Sequence, residues 1–91
     1  MKPGRKLVEL GASNCTDADI LAILIGSGGK GYSAEDIAES ILTKYGTLAA
    51  LMDKPLRQLA EIKGIGPVKA IRIAAAYSLA SRIVKHLEHN E

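Results

Sequence analysis

The sequence predicts an all-α fold, a compact bundle of about five short helices, and three observations carry that expectation. Apolar residues recur at three- and four-residue spacing in segment after segment, and no stretch sustains the alternation of a half-buried strand. Capping residues (Thr16, Ser33, Thr47) and helix-stopping glycines (Gly11, Gly26, Gly46) punctuate the chain at helix-length intervals. The apolar share is 47% but the aromatic share only 3%, so 91 residues supply one core, and Leu, Ile and Ala must fill it. A single domain over residues 1–91 follows, with its folded core at about 3–85 and a frayed tail at 86–91.

Each helix has a local cause. Pro3–Leu10 carries proline in its first turn, and Gly11 ends it, because glycine takes the left-handed conformation that a helix end requires. After a linker at Ala12–Cys15, Thr16 caps a second helix. Asp17 and Asp19 sit at its positive end, and Ile20, Leu21, Leu24 and Ile25 form its apolar stripe. The run from Gly26 to Gly31 holds four glycines in six residues and reads as a tight connection. Ser33, with Asp36 three residues on, resembles a capping box for a third helix that Gly46 stops. Its buried face is Ile37, Ala38, Ile41, Leu42 and Tyr45. Thr47 caps a short turn through Met52, and Pro55 stands in the first turn of a helix expected to reach about Ile62. A long helix is expected from Pro67 to about Lys85, with Val68, Ile71, Ala75, Leu79, Ala80 and Ile83 near one stripe.

Charge is unevenly spread. From Leu7 to Asp53 seven acids meet only Lys30 and Lys44, a net of −5. From Lys54 to Lys85 seven bases meet only Glu61, a net of +6, which makes this third of the chain the expected site of a polyanion. The lone Cys15 has no disulfide or metal-binding partner at ligand spacing, which suits the cytoplasm. No apolar run reaches the roughly 18 to 20 residues that span a bilayer, so no membrane association is expected.

The basic third contains the most informative pattern. Leu59 and Ile62 bury one side of a helix, Gly64 and Gly66 allow a sharp reversal around Ile65, and Ala70 is small enough for a second helix to approach. Pro67 opens that second helix, whose first amides near Gly66 and Lys69 form a backbone anion site suited to phosphate. Lys63, Lys69 and Arg72 add charge, and contacts of this kind hold a nucleic acid without reading its sequence. A weaker copy of the pattern stands earlier, with Leu21, Leu24, Gly26, Ser27 and Gly28 in the places of Leu59, Ile62, Gly64, Ile65 and Gly66.

These residues resemble the helix-hairpin-helix motif of DNA-repair proteins. The wider chain is similar to the N-terminal region of the RadC family, through Gly4-Arg5-Lys6-Leu7 with Gly11 and Ala12, the run Thr16–Leu24, Tyr45–Leu48 and the hairpin at Ile62–Ala70. The resemblance covers nearly all of Pro3–Arg82. It implies a sequence-nonspecific DNA-backbone-binding module, with duplex or branched DNA as partner and contacts from Lys63, Gly64, Ile65, Gly66, Lys69 and Arg72. It also implies a monovalent cation held under the hairpin by the carbonyls of Ala60, Ile62 and Ile65, and no other cofactor.

Members of that family continue into a metalloprotease-like domain whose zinc is held by a His-x-His pair and an Asp. This chain lacks those residues, since His86 and His89 lie in a charged tail, so it is expected to be a fragment without catalysis. The glycosylase branch of the motif is disfavoured as well. Val68 and His86 stand where its catalytic lysine and aspartate would be. The competing expectation is a docking or regulatory module for the absent domain. It is weakened by the scarcity of aromatic anchors, with only Tyr32, Tyr45 and Tyr77. The Gly26–Gly31 loop lacks the Gly-Lys-Ser/Thr ending of a nucleotide phosphate loop and reads as a turn.

Overall fold

A computed structural model describes residues 1–89. Among them lie α1 (Pro3–Leu10), α2 (Asp17–Ile25), α3 (Ala34–Tyr45), α4 (Leu56–Ala60) and α5 (Gly66–His89), with 3-10 turns at Ala12–Asn14 and Ala49–Leu51. The fold is all-α, as expected. The described residues contain no strand, only an isolated bridge between Gly29 and Tyr32 in the glycine-rich loop.

The caps behave as their residue types require. Thr16 and Asp19 exchange bonds, Oγ1 accepting from the Asp19 amide at 3.1 Å and the Asp19 carboxylate from the Thr16 amide at 2.9 Å. Ser33 and Asp36 do the same at 3.0 and 2.9 Å. Each pair satisfies two amides that a helix start leaves bare. Gly11 and Gly46 end α1 and α3 at φ of +84° and +89°, a conformation costly for any other residue.

Packing follows the order of the chain. α2 pairs with α3, α4 pairs with α5, α1 lies on α2, and α2 meets α5 across the middle. The core is wholly aliphatic, with Leu21, Ile25, Ile41, Leu51, Leu59 and Ile73 nearly sealed from solvent. Two polar ties hold the outer pieces. Lys6 on α1 reaches the Asp19 carboxylate at 2.8 Å, and the Tyr77 hydroxyl on α5 donates to the Leu48 carbonyl. The Lys6 bond, followed by the Thr16 amide, holds the Asp19 carboxyl below the usual carboxylate range, and the same ion pair raises Lys6.

Three expectations are corrected. α4 ends at Ala60, so Ile62 lies in the turn beyond it, and Pro55 caps the helix from outside. α5 opens at Gly66 and continues to His89, so positions 86–89 of the supposed frayed tail are helical, while Asn90 and Glu91 fall outside the described residues. The third correction concerns the face of α5. Val68, Ile71, Leu79 and Ile83 point outward, at 53–64% exposure, whereas Ala70 and Ile73 are buried with Ala74 and Tyr77 beside them. The helix carries two apolar stripes, and periodicity alone does not say which one faces the core. Its neighbours decide it: α5 packs against α4 and α2, and Ala70 and Ile73 are the residues it buries.

Candidate nucleic-acid interface

The turn between α4 and α5 is built from the residues that the sequence singles out. Gly64 and Gly66 take φ of +89° and +65°, Ile65 between them is 4% exposed, and its amide donates to the Ile62 carbonyl at 3.0 Å. The two glycines serve different purposes. A Cβ on Gly64 would lie 2.7 Å from Cδ1 of Ile37 and 3.0 Å from Cε2 of Tyr32, so its bareness is a packing requirement. A Cβ on Gly66 would meet nothing within 4 Å. Open space therefore lies beside Gly66, where α5 begins and its leading amides have no helical acceptor behind them.

The glycine-rich loop after α2 lies against this turn. Lys69, expected to face a phosphate, is half-buried, and its ammonium donates to the Ser27 carbonyl at 2.5 Å and to the Gly64 carbonyl at 3.1 Å. It fastens the two turns together. Arg72 is exposed and leans the same way, since a Cβ on Gly26 would sit 3.5 Å from its Nη1. Lys63 is exposed, with its ammonium 5.6 Å from the centre of the Tyr32 ring. The structure thus gathers Lys63, Gly64, Ile65, Gly66, Lys69 and Arg72 around one double turn. Of the three cations, Lys63 and Arg72 face solvent.

Two participants escape sequence reasoning. Tyr32 packs between the turns, against Gly29, Gly64 and Lys63. Its only signal is that it is the single aromatic in the loop. The Ser27 carbonyl has no signal at all. Of the three carbonyls expected to hold a cation, that of Ile62 accepts from the Ile65 amide, which leaves it a second lone pair. Lys69 brings a positive charge to the neighbouring Gly64 carbonyl.

The basic third of the chain is divided in space. Lys54, Arg82 and Lys85 line a separate open cleft of about 560 Å³ with Ser78 and Ser81. Lys69 and Arg82 are about 20 Å apart along α5 at the usual helical rise. No helix among the described residues is long and apolar enough to cross a membrane. No group of three or more His, Cys, Asp or Glu among them could hold a metal.

Comparison with known proteins places the chain. The UPF0758 N-terminal family matches residues 1–71. UPF0758 proteins of Xanthomonas euvesicatoria pv. vesicatoria and Xanthomonas campestris pv. campestris are 41% and 40% identical over 99% of this chain. One of Stenotrophomonas maltophilia is 38% identical over the same share. The chain spans about 40% of the length of these relatives. No solved structure matches. The sequence motifs and the whole-length similarity agree, and the chain belongs to the UPF0758 (RadC) family, in the region that its N-terminal domain covers.

Proposed function

We propose that the double turn is a helix-hairpin-helix element, with the Gly26–Gly28 turn as its degenerate partner, and that it binds the backbone of duplex or branched DNA without reading sequence. The observation that supports this most is Gly66: a bare, positive-φ residue with open space before it, at the head of α5 and between the exposed bases Lys63 and Arg72. Amides at a helix start favour phosphate oxygens, and an approach this close needs a residue without a side chain. Lys63 and Arg72 supply the salt-dependent attraction, and Lys69 acts inside the fold by keeping the second turn in place. In this reading the chain is a binding module of a DNA-repair-type protein and performs no catalysis itself.

Titration of the chain with labelled duplex across a salt series tests the reading. Affinity on the order of 10⁻⁴ to 10⁻⁶ M is expected near physiological salt. The variants Lys63→Gln and Arg72→Gln should each lower the slope of log K against log salt by about 0.9. Gly66→Asn tolerates the positive φ and fills the open space, so it should weaken binding about tenfold while the helical signal is unchanged. Gly64 is a poor choice, because its side chain would strike Ile37. Absence of binding at low salt, or a folded Gly66→Asn chain that binds as well as the parent, would overturn the proposal.

A further inference from the structure

The half of α5 that leaves the globule is amphipathic. Ala76, Leu79, Ala80, Ile83, Val84 and Leu87 follow the i, i+3, i+4, i+7 spacing that puts them on one side, and the four larger residues are 50–61% exposed. Arg82, Lys85 and Ser78 lie on the other side. At its inner end the stripe runs into an apolar hollow of about 150 Å³, bounded by Ile20 and Leu24 of α2, by Leu48, and by Ala76 and Ala80. A row of large residues thus stands next to a hollow floored by small ones on the same helix.

We propose that this surface pairs with a second copy of the chain, α5 running antiparallel to α5 about a centre between Ser81 and Arg82. In that register every stripe position meets another stripe position of the second copy: Ala76 with Leu87, Leu79 with Val84, and Ala80 with Ile83. Alanine falls opposite a large residue in two of the three pairings. The second copy's Leu87 and Ile83 come to lie over Ala76 and Ala80, which border the hollow, so the ridge of each copy fills the hollow of the other. Such a two-fold contact is self-complementary by construction. No charged residue lies within the stripe, and the bases Arg82 and Lys85 stay on the far side, so like charges do not meet. The paired segment is about 16 Å long. A contact of that length, with Ile20 and Leu24 at its edge, buries on the order of 1,000 Å², the lower bound for a specific interface. Weak, concentration-dependent dimers are the expected form.

Sedimentation equilibrium of the chain from about 10 µM to 1 mM should show the mass rising from the 9.6 kDa of one copy towards twice that value. Ala80→Glu and Ile83→Glu, both at exposed positions, should raise the dissociation constant at least tenfold with the far-UV circular dichroism of the dilute chain unchanged. Arg82→Ser on the polar side should leave it as it is. In a Cys15→Ser background, a mixture of Ala76→Cys and Leu87→Cys chains should cross-link under mild oxidation, and Leu87→Cys alone should not. A single-copy mass throughout the series overturns the proposal and gives the stripe to a different partner. Association that survives both glutamates in a folded chain, or equal cross-linking by Leu87→Cys alone, overturns it equally.

Discussion

The turn after α2 and the turn after α4 begin alike and end differently. Leu21 and Leu59 are buried at 1% and 2% exposure, and Gly26 and Gly64 follow at nearly the same φ, +81° and +89°. They part at the next residue. Ser27 is exposed and offers its carbonyl to Lys69, whereas Ile65 is buried in the core. The second glycines differ most. Gly28 has an ordinary φ, but a Cβ there would lie 2.1 Å from the Tyr32 carbonyl oxygen, so the loop folds back on it; Gly66 has a positive φ and faces open space. A repeated pattern can therefore keep its entrance and lose its exit. In the second copy the space beside Gly66 at the start of α5 is open, whereas in the first the Tyr32 carbonyl closes on Gly28.

The largest expected effect separates the two first glycines. Gly64→Ala adds a Cβ under 3 Å from Ile37 to an unfavourable φ. It should cost about 3 kcal/mol of unfolding free energy. Gly26→Ala meets only the flexible Arg72 end at 3.5 Å. It should cost about 1 kcal/mol, from φ alone. Equal losses in urea denaturation would show that the turns are packed alike after all. Next comes the fastening between them. Lys69→Met keeps the stem but removes both bonds, and should lower stability by about 1 kcal/mol. Amide exchange should quicken at Ser27–Tyr32 and stay unchanged along α3; an unchanged loop would mean that the turns stand independently.

The smallest effect concerns the caps of α2 and α3. Both are Ser/Thr–Asp boxes, but only Asp19 also holds an ammonium among the described residues. Its carboxyl is held below the usual range, so its contribution to stability is complete above the unfolded value of about 3.9 and fades as pH falls through the folded one. Asp19→Asn should flatten the acid limb of a stability profile taken across that window more than Asp36→Asn does. The reverse ranking would place the critical acid at α3.

Much of this architecture is legible because its causes are local. Thr16, Ser33, Gly11 and Gly46 each act within one helical turn, and the boundaries of α1 to α3 follow from them. The extent of α4 is less legible, since Ile62 continues the spacing but belongs to the turn. The inner face of α5 was beyond periodicity: a helix with two apolar stripes needs its neighbours to choose between them. At the candidate site, the glycines and Ile65 could be read from their pattern. The role of Lys69 could not, because its partner is a backbone oxygen 42 positions away, and a carbonyl has no letter in a sequence.

Tyrosine gives these joints an optical signature, since the chain has no tryptophan and three tyrosines. Tyr32 marks the meeting of the two turns, Tyr45 lies beneath Lys44 and Lys54, and Tyr77 ties α5 to Leu48. Burial pushes the Tyr77 phenol above the ordinary tyrosine range. Once ionised it has no proton to donate, so the tie to Leu48 holds through neutral and mildly alkaline solution and is lost as pH rises through that raised value. The near-ultraviolet spectrum of this small chain is consequently a record of its seams rather than of its aliphatic interior.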